Sequence, residues 1–522
     1  MVELLDCTLR DGGYYTAWDF EPGLVRTYLA AMAKLPVRHI ELGYVNDPMP
    51  GYAGEFFFLS PERLRQARAA LRPDQSLVVM IDGKGTTPER MAPLFGHLVG
   101  LVDMVRITVS PDKLDHGIAL ARAIKATGMK AGFNVMYLST FQTQLSKISA
   151  AFEVPEVFDS IALVDSYGGC TPERVESLFR EMRAALPDKT IGFHGHDNMC
   201  LAMANSIAAI AGGADVVDGT LIGMGRGAGN LRLEAMLAYL DGRPGNMPVD
   251  YEALSSVVEP FDALQREYGW GTNLPYMISG VNNLPQRDVM DWIGKKRYSV
   301  LSIIQALQRQ AASETDSRAY PSLQPLANST RPVVVVGGGP SVRRHADAIA
   351  RFVDRSGALV LFSSSRHIDL CDQLGGEQLL CLPGHDAMRV EVTDNLGRMT
   401  AAIVPTPPRV DGCVPAGFPL QVQQAAQLTA AGTGDTIGPV SDVSPLDLAL
   451  GAVVALATKD CLLVGFDGYE TASTAEQSLA REVQSMLDVF RQKYPGTRLR
   501  SLTPTFYDID AFSVYAELAA LS

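Results

Sequence analysis

Thr190-Ile191-Gly192-Phe193-His194-Gly195-His196-Asp197-Asn198 reads as a short apolar strand that ends in two imidazoles. Residues two apart on a strand point to the same face. His194 and His196 therefore aim two neutral nitrogen ligands at one point, as a divalent cation requires. The bland alternative, two polar residues hydrogen-bonded at a strand end, has against it the scarcity of histidine, 8 in 522 residues. A matching carboxylate stands near the N-terminus, where Leu4-Leu5-Asp6-Cys7-Thr8-Leu9-Arg10-Asp11-Gly12-Gly13-Tyr14 reads as another strand, ending on Asp11. Two histidines and a carboxylate from separate strands make a three-ligand site with positions open to water or substrate.

Working outward from these two strands, short apolar runs alternate with amphipathic stretches. Strands are expected at 3–9, 38–43, 77–81, 104–108, 130–136, 160–164, 190–193 and 215–220. Helices are expected at 22–35, 61–71, 88–97, 111–127, 172–186 and 199–211. Ser60-Pro61, Ser110-Pro111 and Thr171-Pro172 each look like an N-cap followed by proline at the first helical position. Eight such units over roughly 240 residues match a (β/α)8 TIM barrel, with a doubly wound open sheet as the alternative. In a barrel the site lies at the carboxyl ends of the strands. Those ends carry Arg10-Asp11, Glu41, Asp82, Arg106, Asn134, Asp165-Ser166, His194-Gly195-His196 and a glycine-rich loop. For Asp82, Arg106 and Asn134, loop anchoring or ion pairing competes evenly with catalysis.

The barrel is assigned to 1–244, a small helical extension to 245–310, and a linker rich in Ala, Ser, Thr and Pro to 311–331. A second α/β domain, doubly wound and Rossmann-like, is expected over 332–522. A chain of 522 residues with 47% hydrophobic and 20% charged residues is that of a multidomain globular protein. A net charge of −13 argues against nucleic-acid and anionic-membrane partners. Seven cysteines without C-x-x-C spacing fit reduced thiols in a cytoplasm, and no signal peptide or spanning apolar run is evident. A homo-oligomer is expected.

Thr8-Leu9-Arg10-Asp11-Gly12, His194-x-His196-Asp197-Asn198 and Gly223-Met224-Gly225-Arg226-Gly227-Ala228-Gly229-Asn230 occur in order and at barrel spacing. Together they resemble the metal-dependent aldolase and acyl-transfer superfamily of hydroxymethylglutaryl-CoA lyase, isopropylmalate synthase and 4-hydroxy-2-oxovalerate aldolase, over residues 1 to about 300. The stretch 194–234 looks closest to the 4-hydroxy-2-oxoacid aldolases. The resemblance implies that Asp11, His194 and His196 bind a divalent cation, Mn²⁺ with Mg²⁺, Co²⁺ and Zn²⁺ as alternatives. Asn230 is a ligand in some relatives; otherwise it is a loop amide satisfying backbone groups.

The implied activity is carbon–carbon lyase chemistry between a 2-oxo acid, pyruvate, and an aldehyde, with the cation as Lewis acid on the enolate. The family gives the arginine before the aspartate, here Arg10, the task of stabilising that charge; an ion pair with Glu41 is its other reading. These aldolases carry a histidine three residues after the motif aspartate, where this chain has Tyr14. A phenol with a pKa near ~10 is a poor resting base, so Tyr14 stands as base or substrate contact, with a metal-bound hydroxide, Asp165 or Tyr276 as alternatives. Acyl-CoA condensation, the lyase branch and a non-catalytic barrel scaffold are the competing functions. Synthases follow the motif glycine with Glu-Gln, and the lyases use a loop cysteine that Gly223-Met224-Gly225 lacks. Cys7 and Cys170, near strand ends, are read as buried rather than nucleophilic. Relatives often pair with an aldehyde dehydrogenase.

In the second domain, Val333–Val336 followed by Gly337-Gly338-Gly339-Pro340-Ser341 is a strand, glycine-rich turn and helix, a place where backbone N–H groups can cradle phosphate. With Leu462–Tyr469, which contains Asp467, and Ser501–Thr505, it resembles sialyltransferase-like and flagellin-modification proteins that use nucleotide sugars. That implies a nucleotide or sugar-phosphate ligand at Gly337, Gly338, Gly339, Pro340, Ser341 and Asp467. A packing turn in a structural module is the alternative.

Overall fold

A computed structural model describes residues 2–49, 51–141, 145–148, 154–244, 247–294, 300–312, 315–384, 396, 398–410, 414, 418, 420–428, 444–469 and 474–521. Cys413 lies outside them. The chain divides into two compact units, Met1–Met290 and Asp291–Ser522.

In the first unit, strands β1 (Glu3–Asp6), β2 (His39–Tyr44), β3 (Ser76–Asp82), β4 (Met104–Val109), β5 (Lys130–Val135), β6 (Ser160–Asp165), β7 (Thr190–Gly195) and β8 (Val216–Gly219) pair in parallel and close into a barrel. The TIM-barrel expectation holds, element by element. One boundary differs where it matters most. β1 stops at Asp6 instead of running to Leu9, and Thr8–Thr16 is an α-helix that carries Arg10 and Asp11 in its first turns. The cause is local: the Asp6 carboxylate accepts the Thr8 N–H at 3.0 Å and the Thr8 hydroxyl at 2.7 Å, turning the chain out of the sheet. The Asp11 N–H then bonds Cys7 O at 2.9 Å, and the helix is under way.

Around the barrel, helices Pro22–Met32, Pro61–Ala70, Pro88–Phe95, Leu114–Ala126, Pro172–Ala185 and Ala202–Gly212 lay their apolar faces on the sheet. Ser60 caps its helix by accepting the Arg63 N–H at 3.1 Å. Ser110 and Thr171 make no such side-chain bond, so at those two starts it is proline at the first turn that fits the pattern. The helix Tyr251–Tyr268, ended by Gly269 at φ 72°, packs Val257 and Phe261 into the barrel's outer core beside Tyr28. Among the described residues no helix is long and apolar enough to cross a membrane.

The second unit holds an eight-stranded parallel sheet in the spatial order Gln421–Ala425, Met399–Pro405, Gln378–Cys381, Leu359–Phe362, Val333–Val336, Asp460–Val464, Arg498–Ser501, Asp510–Ala511. Chain order runs outward one way from Val333–Val336 and then resumes on its other side, so the switch point falls between Val333–Val336 and Asp460–Val464. Both faces are covered. Val334, Val336, Val360 and Phe362 enter one core, and Val333, Val335, Leu359 and Leu361 the other. The stretch expected to be a linker is instead built into this unit. Thr315–Asp316 pairs with Arg409–Val410, the Leu323 N–H bonds Gln424 O at 2.9 Å, and Leu323 is buried in the core.

Phe261→Ala should cost about 3–5 kcal/mol, read as a lowered urea midpoint, because its ring is fully buried between the extension and the barrel.

Candidate metal centre

Six side chains form a closed circuit at the carboxyl end of the barrel, all of them buried. Arg10 pairs with Asp11 through Nη1 and with Glu41 Oε1 through Nε at 2.7 Å. Arg106 then joins Glu41 Oε2 at 3.1 Å to Asp218 Oδ2 at 2.7 Å, and donates from Nε to Asn134 Oδ1 at 2.6 Å. Asp218 Oδ2 lies 3.1 Å from Nδ1 of His194, whose Nε2 lies 3.8 Å from Asp11 Oδ2. Three carboxylates and two guanidiniums carry formal charges that sum to −1, before the imidazole is counted. Burial raises the Asp218 carboxyl, but Arg106 and then His194 outweigh it and bring it to about 2. Burial likewise opposes ionisation of Asp11, yet Arg10, the two histidines and Asn230 hold it well below the usual carboxylate range. Burial, then His194, pushes His196 well below its usual value, so its ring is neutral.

The ligand atoms of Asp11, His194 and His196 lie within 4.8 Å of one another. The orientation of each ring is fixed from behind: His194 by Asp218, and His196 by the Gln286 amide, whose Nε2 is 2.7 Å from its Nδ1. Gln286 is itself held, accepting the Ala228 N–H at 3.1 Å and donating to Ser166 O at 3.0 Å. Asn230 donates from Nδ2 to Asp11 Oδ2, while its buried Oδ1 has no hydrogen-bond partner. A buried amide oxygen left unpaired beside a net negative charge is what an oxygen-and-nitrogen cation site presents, so the residues fit a hard or borderline divalent ion. The glycine-rich loop presses directly on this cluster. A Cβ at Gly225 would fall 2.3 Å from Asn230 Nδ2 and 2.8 Å from Asp11 Oδ2.

The other residues expected at the site divide. Tyr14 stands 39% exposed, against Trp18 at 4.9 Å between centroids. Asp165 is buried, and its oxygens accept the Gly169 and Cys170 N–H groups at 3.2 and 3.0 Å, which anchors the loop after β6. Tyr276 is buried and hydrogen-bonds Tyr15, whose own hydroxyl donates to Gly227 O at 2.9 Å. Asp82 accepts the Lys84 N–H, a loop anchor. Cys7 is buried, with burial raising its thiol, and Cys170 likewise. Asp218 and Gln286 were not legible as site residues. A lone carboxylate inside the apolar run Val216-Val217-Asp218-Gly219 was the signal for the first; for Gln286, 90 residues from His196, there is none.

In the second unit, the glycine-rich turn meets its own chain. Asp467 takes the Ser341 N–H at 2.9 Å and its hydroxyl, and the Gly339 N–H bonds Gly465 O at 2.7 Å. A Cβ at Gly339 would fall 2.7 Å from the Asp467 carboxyl carbon, so close packing accounts for that glycine. A carboxylate thus stands where Gly337–Ser341 was expected to receive a phosphate.

The pattern of the HMGL-like family matches residues 108–259, and the chain belongs to that family. It is 30% identical, over 49% of its length and 76% of the relative's, to a 4-hydroxy-2-oxovalerate aldolase of Carboxydothermus hydrogenoformans. It is 26% identical, over 59% of its length and 91% of the relative's, to an oxaloacetate decarboxylase of Mycobacterium tuberculosis. Among solved structures, the N-terminal domain of a candidate aldolase from Bacteroides vulgatus is 44% identical, with a TM-score of 0.54; the match covers 58% of this chain and all of that one.

Gly225→Ala should weaken Mn²⁺ binding by about 10–100-fold in calorimetric titration, with far-ultraviolet circular dichroism unchanged. Because the Asp218 pKa is depressed on folding, to about 2, its contribution of about 2 kcal/mol is present above pH 4 and lost as pH falls toward 2. Asp218→Asn should therefore show a smaller fall in urea midpoint between pH 5 and 3 than the parent protein.

Proposed function

We propose that the barrel is a divalent-metal-dependent aldolase that makes or cleaves the bond between the enolate of pyruvate and an aldehyde. The observation that carries this reading is the buried Asp11–His194–His196 triad with the unpaired Asn230 oxygen beside it and Arg10 against it. Asp11, His194, His196 and Asn230 would hold the ion, which when bound supplies Lewis-acid stabilisation of negative charge on a 2-oxo oxygen. Arg10, its Nε held by Glu41, adds a fixed positive charge before substrate arrives.

Cleavage of a 4-hydroxy-2-oxo acid removes the 4-hydroxyl proton and breaks C3–C4. The aldehyde leaves, and the remaining enolate takes a proton at C3 to become pyruvate. Among the candidates for that hydroxyl proton, Asp165 is engaged with backbone N–H groups and Tyr276 with Tyr15. Tyr14, exposed at the mouth, is the group assigned to the 4-hydroxyl. The similarity to 4-hydroxy-2-oxovalerate aldolases supports this reading. The oxaloacetate decarboxylase relative supports a second one, since loss of the C4 carboxyl of oxaloacetate leaves the same enolate.

With Mn²⁺, Mg²⁺, Co²⁺ or Zn²⁺ added, the protein should exchange the C3 protons of pyruvate for deuterium, and His194→Ala should abolish the exchange. Absence of exchange with all four ions would refute the proposal. Tyr14→Phe should slow aldol cleavage by about 100-fold or more and spare oxaloacetate decarboxylation, which has no hydroxyl proton to remove. A reversed pattern of substrates would favour the decarboxylase reading.

A further inference from the structure

Three arginines surround the triad, and two are neutralised. Arg10 and Arg106 each pair with two carboxylates. Arg226, in the glycine-rich loop, is half-buried; its Nε is buried without a hydrogen-bond partner, and it forms no ion pair among the described residues. A guanidinium that loses water without gaining an acceptor is costly. What it has instead is a flat neighbour: its Cζ lies 5.3 Å from the centre of the Tyr14 ring. Stacking of this kind leaves the N–H edge free for a planar or tetrahedral anion.

Its position is set by the loop. Gly225 abuts Asp11 and Asn230, the Gly229 N–H bonds Arg226 O at 3.2 Å, and Tyr15 and Gln286 hold the next two residues. Arg226 lies close enough to His196 and Tyr167 to act on both electrostatically. Tyr167 in turn stacks on Tyr137 with centroids 5.4 Å apart. Among the described residues, Arg226 thus stands beside the triad as a cation without an ion pair, with aromatic rings for neighbours.

We propose that Arg226, stacked on Tyr14, binds an anionic group at the far end of the aldehyde half of the substrate, a carboxylate or a phosphate. This rests on the aldolase reading and adds the substrate class: an aldehyde that carries its own negative charge, separate from the carboxylate of pyruvate. The presence of Tyr14 at this position then has a second consequence, because the same ring that meets the 4-hydroxyl orients the cation that holds the chain's end.

The experiment compares addition of pyruvate to succinic semialdehyde, glyceraldehyde 3-phosphate and butyraldehyde by the full Mn²⁺-loaded chain, by Arg226→Ala and by Arg226→Lys. The parent protein should prefer one anionic aldehyde over butyraldehyde by about 10- to 150-fold in kcat/KM, the worth of a charge-assisted hydrogen bond. Which of the two wins separates carboxylate from phosphate. Arg226→Ala should collapse the preference, chiefly through KM, and Arg226→Lys should retain part of it. No preference in the parent, or an equal loss on all three aldehydes, overturns the proposal. Deuterium exchange into pyruvate by the parent protein tests the aldolase reading separately. If that exchange fails, calorimetric titration with succinate and with inorganic phosphate still decides the anion site: tighter binding by the parent than by Arg226→Ala supports it, and equal binding overturns it.

Discussion

The structure depends on a circuit of opposite charges closed inside a barrel. Asp11, Arg10, Glu41, Arg106, Asp218 and His194 each touch the next, and the last returns to the first. Charges buried this deeply persist only when each has its partner and its hydrogen bonds. Every member is therefore held in place by two others, and the two imidazoles and the Asp11 carboxylate are aimed before any ligand arrives. The surplus negative charge of the circuit and the unpaired Asn230 oxygen meet at one place. Preorganisation of this kind suits chemistry in which charge develops on a substrate oxygen.

The barrel was legible because its signals are local and repeated. Apolar runs with polar ends recur eight times, several of the helices between them open on proline, and each strand lay within a few residues of its expected place. Asp11, His194 and His196 were legible from residue chemistry and spacing. What escaped was everything that depends on distant side chains. Thr8 and Leu9 read as strand because they continue the pattern of β1, and it is the Asp6 carboxylate, bonding two residues ahead, that turns the chain into helix. Asp165 and Tyr276 sit at positions that suit a base, yet hydrogen bonds to loop N–H groups and to Tyr15 occupy them.

The second unit shows the same limit. Its strand–turn–helix pattern and its parallel sheet were readable, and the switch point falls beside the glycine-rich turn. Asp467 was grouped with the turn as a ligand residue, but its direct hydrogen bond to Ser341, made from the loop after Asp460–Val464 and 126 residues away in sequence, was not readable. The stretch before the sheet looked like a tether by composition. Its role as a flank of the fold comes from Arg409, a buried arginine that grips Asp316 at 2.8 Å and Pro405 O at 2.8 Å.

The charge circuit also bears on how the barrel assembles. Its members come from the helix after β1 and from β2, β4, β7 and β8, and Asn230 reaches back across 219 residues to Asp11. A half-wound barrel would leave Arg106 in the interior without Asp218, and Asp11 without Asn230. Partly closed intermediates are thereby penalised, and the first and last strands gain a shared reason to meet in one cooperative step.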